Sequence, residues 1–290
     1  ITGVVGENLR NEQEVLQRNL FLVSLKNDLE LGVSLNEINT PLTNSDDLKK
    51  FYKELEFNSF IGESNEKRTT EYKTIKDIKS LNEIASLIET APYFSFDTET
   101  TSLNAQNAEL VGFSFSFKKN SGFYIPVNHV EQTDLDSQET INWLRTILEK
   151  YQNKVIGQNL KYDIGVLKKY DIEFKEFFAD TMLMSYAINS TATRHSLDAM
   201  SEYYLNITTI KYEDVMGKGA NKFRNFSEVP IKDATNYAAE DTDITLQLYE
   251  KFQNLLEGSI KNLLQDMDYK LLFILLEMEQ RGALIDTAHL

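Results

Sequence analysis

Apolar positions recur along the chain with two periods, and the places where the period changes mark out its elements. From Asn11 to Leu31 the pattern predicts a helix that becomes strand-like, with Leu16, Leu20, Phe21, Leu22 and Val23 as its apolar cluster. Asn44 to Phe57 predicts an amphipathic helix capped by Ser45 or Asp46, with Leu48, Phe51, Tyr52 and Leu55 at helical spacing. Gly62 to Thr70 is small, polar and unpatterned, which reads as a linker. A new unit starts near Tyr72. Ser80 followed by Glu83 is a capping-box signature, and Leu81, Ile84, Leu87 and Ile88 give the next helix one apolar face, ending near Thr90. The period then drops to two. Phe94–Thr100, Leu110–Phe117 and Phe123–Val127 read as strands, with Pro126 marking a strand end or an edge, and the short turns between them predict an antiparallel meander.

Beyond the meander the helical period returns. Asp136 and Glu139 open a helix with Ile141, Leu144 and Leu148 on its apolar face. Val155-Ile156 is a short strand running into Gly157-Gln158-Asn159, after which Leu160 to Tyr170, Asp180 to Ile188 and Ser196 to Leu205 are helical. Gly217 and Gly219 lie in a loop, a long helix covers about Lys232 to Leu256, and a last amphipathic stretch runs from Leu263 to Arg281 and stops at Gly282. No internal repeat is present. The order predicts an α/β sandwich, a mixed central sheet flanked by helices, with a small and mostly helical N-terminal segment.

Candidate chemistry begins on the first strand of the meander. Alternation puts Asp97 and Glu99 on one face and Phe94, Phe96 and Thr98 on the other. Two carboxylates side by side on a strand fit for burial repel each other unless a cation sits between them. Taken alone, an Asp-x-Glu triplet is better explained by the solvated end of a strand, because such triplets are common. Two further pairs change the balance. Asn159 and Asp163 stand one helical turn apart, as do Tyr237 and Asp241 in the long helix. Separate elements thus contribute the carboxylates of Asp97, Glu99, Asp163 and Asp241, without paired basic residues. Such a set fits hard cations, magnesium or manganese, and two such ions can flank a phosphodiester.

Composition narrows the partners. At 290 residues, with 41% hydrophobic and 26% charged residues, the chain has the make-up of a globular protein with ample core. No apolar run approaches a membrane span, so no membrane association is expected. There is no cysteine, which excludes thiolate metal sites and disulfides and accords with a reducing cytoplasm. The net charge of −15 is poorly suited to holding nucleic acid on a broad basic surface, so any such contact must be local or made through metal. Opening on Ile1 rather than Met, the chain is expected to be a piece of a longer protein.

Three motifs carry a resemblance. Phe96-Asp97-Thr98-Glu99-Thr100, Gly157-Gln158-Asn159-Leu160-Lys161-Tyr162-Asp163 and Tyr237-Ala238-Ala239-Glu240-Asp241 together resemble the motifs of the 3′–5′ exonuclease domain of bacterial DNA polymerase I, in the tyrosine branch of the DEDD superfamily. The likeness continues through Asp180-Thr181-Met182-Leu183, Arg194-His195 and Gly217-Lys218-Gly219. It implies an RNase H-like exonuclease fold, two divalent ions (Mg2+ or Mn2+), and a DNA strand with a single-stranded or mismatched 3′ end as substrate, releasing 5′-mononucleotides. By the same resemblance Asp97, Glu99 and Asp241 hold the tighter ion, and Asp97 and Asp163 the second. Tyr237 orients the attacking water. Gln158 and Asn159 contact the last nucleotides, Leu103 and Tyr212 form an apolar wedge around the terminal base, and Thr100 joins them on the substrate-binding side. The family often has phenylalanine where Tyr212 stands. The flanks extend the likeness. Residues 1–61 resemble the end of a 5′-nuclease domain, 62–71 a linker, 72–257 the exonuclease domain and 258–290 the start of a polymerase domain, all acting in cis in a monomeric protein of the bacterial cytoplasm.

Other readings are weaker. His129, His195 and His289 lie on unrelated elements, and no Ser or Asp has the spacing of a nucleophilic triad with them. His195 is open between a phosphate contact and a capping or packing role. Lys118-Lys119 and Lys168-Lys169 read as solvated surface, and Phe113, Phe115 and Phe117 as core. A catalytically silent scaffold is disfavoured because every acid and Tyr237 are present. A stand-alone ribonuclease of the same superfamily is disfavoured by the polymerase-like flanks.

Overall fold

The computed structural model describes residues 2–29, 32, 34, 46–55, 57, 68–219 and 222–289, in two units that divide at Phe57. The first holds α1 (Gly3–Asn11), α2 (Gln13–Val23) and α3 (Asp46–Glu54). Two expectations fail here. Residues 24–29 form no strand, and Leu16, Leu20, Phe21, Leu22 and Val23 are exposed rather than packed. The reason is rotational: four successive apolar residues, 20–23, wind almost once around a helix and cannot share one face. The cap expected at Ser45, and residues 62–67 of the expected linker, lie outside the described residues.

The second unit is built on a six-stranded sheet of order β1-β4-β3-β2-β5-β6. Its elements in chain order are β1 (Glu71–Thr74), α4 (Ile78–Thr90), β2 (Phe94–Thr100), β3 (Leu110–Ser116), β4 (Ser121–Pro126), α5 (Ser137–Tyr151), β5 (Val155–Gly157), α6 (Leu160–Leu167), β6 (Ala179–Asp180), α7 (Thr181–Ile188), α8 (Leu197–Met200), α9 (Tyr212–Met216), α10 (Ile231–Phe252), α11 (Gly258–Leu263) and α12 (Tyr269–Arg281). The expected meander β2-β3-β4 is antiparallel, while β1 joins β4, β5 joins β2 and β6 joins β5 in parallel. The sheet is mixed, as its sequence order predicts. Pro126 does end its strand, but β4 is not an edge, because Glu71–Thr74 pair with Ser121–Tyr124 and stop short of the proline.

Capping also differs in detail. α4 starts earlier than expected, at Ile78, and its cap is Asp77, whose carboxylate accepts from the Ser80 amide and the Ser80 hydroxyl, both at 2.9 Å. Asp136 caps α5 as expected, accepting from the Glu139 amide at 2.9 Å. Arg68, read as linker, is anchored to α10 by an ion pair with Glu240.

One face of β2 and β3 carries Phe94, Phe96, Phe113 and Phe115, all fully buried, against Leu81, Ile84 and Ile88 of α4 and Leu144 and Leu148 of α5. Phe96 and Phe115 meet at 5.4 Å between ring centres, and truncating either to alanine would cost about 3–5 kcal/mol. The other face is covered by α10, which packs across β1 to β4. The approach is close at Gly122 of β4, where a Cβ would stand 2.6 Å from the Ala239 carbonyl oxygen. Only glycine lets strand and helix meet there.

Candidate active site

The face of β2 turned to α10 bears Ser95, Asp97 and Glu99. Ser95 Oγ donates to the Thr242 carbonyl at 2.6 Å, tying the strand to the helix beside Asp241. Across the ladder Asp97 is opposite Ser114 and Glu99 opposite Gly112, whose missing side chain makes way for the buried Tyr124 ring: a Cβ there would collide with the Tyr124 hydroxyl. Carboxylate oxygens of Asp97, Glu99 and Asp241 lie within 4.8 Å of one another. Asp163 approaches from α6. Because β5 pairs only with Phe94 and Ser95, the Thr98 amide on that side of β2 is free, and Asp163 Oδ1 accepts from it at 3.1 Å and from Thr98 Oγ1 at 2.6 Å. The expected tetrad is therefore three acids in mutual reach and a fourth beside them with one oxygen committed to Thr98.

The electrostatics are one-sided. Burial pushes the carboxyls of Asp97, Glu99, Asp163 and Asp241 well above the usual range, and neighbouring negative charge pushes each further. Glu99 feels Asp97, Asp241 and Asp163 together. Its Oε1 is buried with no hydrogen-bond partner among the described residues, and every ion pair among those residues lies elsewhere. An orphaned carboxylate oxygen amid like charges, in a donor set made only of oxygen, fits a hard divalent cation.

Tyr237, one turn before Asp241 on α10, lies with its hydroxyl against that carboxylate, an interaction that works against the rise in the acid. Burial and then the charges of Asp241, Glu99 and Asp97 raise the phenol itself, so it stays protonated throughout the ordinary pH range. Its ring is edge-on to Tyr212 at 6.2 Å, and Tyr212 in turn stacks on Phe226 at 6.4 Å.

Asn159 sits at the start of α6 in the left-handed region (φ 62°), which asparagine tolerates. Asp180 holds it there. This fully buried carboxylate accepts backbone N–H groups from Asn159 (3.4 Å), Leu160 (2.8 Å), Met182 (2.9 Å) and Leu183 (3.1 Å), serving the starts of α6 and α7 at once. Burial nevertheless lifts its pKa to about 6. Gln158 is fastened at both ends of its amide, to the His195 carbonyl at 3.0 Å and to Thr181 Oγ1 at 2.5 Å. His195 packs rather than reaching out: its ring nitrogens pair with Ser185 Oγ and the Ser190 carbonyl.

Thr100 Oγ1 meets the Tyr162 hydroxyl at 2.5 Å, and that hydroxyl also donates to the Ser102 carbonyl. Nothing in the spacing of the motif gives Tyr162 a role. Burial pushes it up to about 12. With Asn159 and Leu103 it lines a groove of about 650 Å³. Leu103 stands 91% exposed and Tyr212 43% exposed, two apolar groups open to solvent beside the acids' strand and helix.

A second acidic group on α10 is fully partnered. Glu240 Oε1 accepts from Arg68 at 2.5 Å and its Oε2 from the Ile210 amide at 2.6 Å. Asp243 accepts from Tyr72 Oη, the Asn120 amide and Gln247 Nε2, each at 2.8 Å. Neither Arg68 nor Glu240 was singled out from sequence. The contact spans 172 positions, and nothing local in the chain announces it.

Residues 72–257 match the family described as 3′–5′ exonuclease, in the DNA polymerase A group. DNA polymerase I of Pseudomonas aeruginosa is 35% identical across 92% of this chain, and that of Borreliella burgdorferi 34% across 76%. The chain spans only 31% and 24% of those two proteins. Among solved structures, the POL domain of Pol1 from M. smegmatis in complex with DNA primer-template and dNTP superposes with a TM-score of 0.56 at 16% identity, covering 74% of this chain and 33% of that one. Brucella melitensis NrnC superposes at 0.53 and 17% identity, covering 74% and 95%. At such identities these two likenesses speak for the fold, the expected RNase H-like exonuclease architecture. Among the described residues no helix is long and apolar enough to cross a membrane. On the family match over 72–257, the chain belongs to the 3′–5′ exonucleases of the family-A DNA polymerases.

Proposed function

We propose that this chain hydrolyses the terminal phosphodiester of a DNA 3′ end, single-stranded or mismatched, releasing 5′-mononucleotides as the proofreading part of a bacterial DNA polymerase I. The observation that carries the reading is the unpartnered, buried Glu99 Oε1 within the group of Asp97, Glu99 and Asp241. Asp97, Glu99 and Asp241 would hold one divalent ion, and Asp97 with the free oxygen of Asp163 a second, Mg2+ or Mn2+. Bound there, such ions supply Lewis acidity at the phosphate and make water acidic enough to ionise near neutral pH. Tyr237, protonated and beside Asp241, orients the attacking water through its hydroxyl. Leu103 and Tyr212 flank the terminal base, Gln158 and Asn159 take the last nucleotides, and Thr100 with Tyr162 braces the strand end that bears the acids. An apolar wedge of this kind accepts bases that are already unpaired and tolerates any sequence.

The same reading assigns 1–61 to the end of a 5′-nuclease domain, 62–71 to a linker, 72–257 to the exonuclease and 258–290 to the opening of a polymerase domain, in a monomeric cytoplasmic protein. A 5′-labelled single-stranded oligonucleotide, incubated with the chain with and without magnesium, tests the activity. Metal-dependent shortening from the 3′ end is expected. Label released from the full-length strand without a ladder of progressively shorter labelled strands, or an intact strand in magnesium, would overturn it.

A further inference from the structure

Arg68 lies outside the segment matched by the exonuclease family, four residues before it begins, yet it reaches the helix that bears Asp241. Its guanidinium is three-quarters buried, pairing with Glu240 and lying 3.9 Å from Asp243. Glu240 is itself buried, and its second oxygen holds the Ile210 amide at 2.6 Å. Ile210 lies two residues before Tyr212. Upstream, the same segment is tied by Thr209 Oγ1 to Asp198 at 2.7 Å and by the Ile207 carbonyl to Ser201 Oγ at 2.8 Å. The bond to Glu240 is thus the last tie before α9 carries Tyr212 to its place between Phe226 and Tyr237.

We propose that Arg68 is a positioning residue for the substrate side of the site, holding Tyr212 in register with Tyr237 through the relay Arg68–Glu240–Ile210. This rests on the function proposed above. Without the guanidinium, Glu240 is left a buried carboxylate with a single backbone donor, a costly state. The side chain relaxes by swinging toward water, and the Ile210 amide loses its acceptor. Tyr212 then moves as part of a looser segment, while the acids on β2 and α6 keep their own supports, Ser95–Thr242 and Thr98–Asp163. The residue thereby makes the stretch of chain that precedes the exonuclease part of its substrate grip.

Hydrogen exchange and steady-state kinetics on the full chain test the relay, with wild type, Arg68→Lys and Arg68→Ala compared. In Arg68→Ala the amides of 210–216 should exchange about tenfold faster while those of β2 and β3 do not change, the size expected for losing one bond to a charged group. KM for a single-stranded oligonucleotide should rise about tenfold with kcat and magnesium dependence close to wild type. Arg68→Lys should recover most of both. Unchanged exchange at 210–216 would overturn the relay whatever the enzyme does. So would faster exchange throughout the sheet, or an equal fall in kcat without a change in KM, since either marks a general loss of structure. A wild-type chain that shortens no oligonucleotide would remove the kinetic half and the function it rests on, leaving the exchange result to decide the Arg68–Ile210 coupling alone.

Discussion

One turn of α10 supplies carboxylates to two acidic groups that differ in what faces them. Glu240 and Asp243 meet Arg68, Tyr72 and three backbone or amide N–H donors, while Asp97, Glu99 and Asp241 meet chiefly one another. Burial raises the carboxyls of both groups, but around Glu240 and Asp243 the hydrogen bonds and the arginine offset part of that rise. Around Glu99 only further negative charge is added. The carboxylates of the first group are partnered as folded and bind the sheet to the helix. The second is strained as folded and finished only by a cation. Neighbouring acids on one helix therefore divide into structural and chemical by what faces them.

Deleting one acid from each group separates the two roles most sharply. Asp97→Ala should lower exonuclease turnover in magnesium by at least about 10³-fold, the scale of losing a main electrostatic support, and leave the metal-free protein no less stable because a repelling charge has gone. Near wild-type hydrolysis by this variant, followed as release of labelled mononucleotide, would sink the assignment. Tyr237→Phe comes next, about 10²-fold slower if the hydroxyl only helps to place the water. Calorimetry should find its metal uptake intact, and uptake lost together with activity would make the tyrosine structural.

Asp243→Ala should do the reverse. Orphaning Tyr72, the Asn120 amide and Gln247 costs about 1–3 kcal/mol of stability, read by denaturant titration, while the magnesium affinity of the other group is retained. A variant as stable as wild type would mean that Asp243 holds no structural role.

Acidity gives the smallest and most general effect. Asp180, lifted to about 6 from an ordinary 3.8, keeps its proton in the folded protein where the unfolded chain has already lost it. The folded state then binds more protons between those values, so stability falls as pH rises through that window. The raised acids of the candidate metal group act in the same direction. Without metal, the thermal midpoint should drop from about pH 4 to neutral by a few degrees, and magnesium should reverse the drop above pH 7. A midpoint that climbs steadily with pH in the absence of metal would contradict these shifts.

What the sequence discloses is local. Phe94–Thr100 announces itself as a strand because its alternation is complete, and Asp136 announces a helix because its partner, Glu139, is three residues on. The acids of the site were legible for the same reason, each standing at strand or helical spacing within a short motif. The rest depends on partners distant in the chain. β1 and β6 are four and two residues long, too short for a period to show, and exist because β4 and β5 offer them open edges. Arg68 looked like linker because its counter-ion is on α10. Leu20 to Val23 looked like core because composition alone does not say whether apolar residues share a face.

Gly122 has a consequence beyond the fit of strand to helix. The empty space where its side chain would be sets the gap between the sheet that carries Asp97 and Glu99 and the helix that carries Asp241 two residues after Ala239. A methyl group there would act as a shim, levering α10 off the sheet against backbone that cannot yield. Packing tolerates a few tenths of an ångström, whereas catalysis by aligned groups decays steeply with misplacement of that order. In Gly122→Ala the loss would be felt first as rate and only later as melting, so a glycine with no side chain of its own serves as the gauge block against which the reacting distance is set.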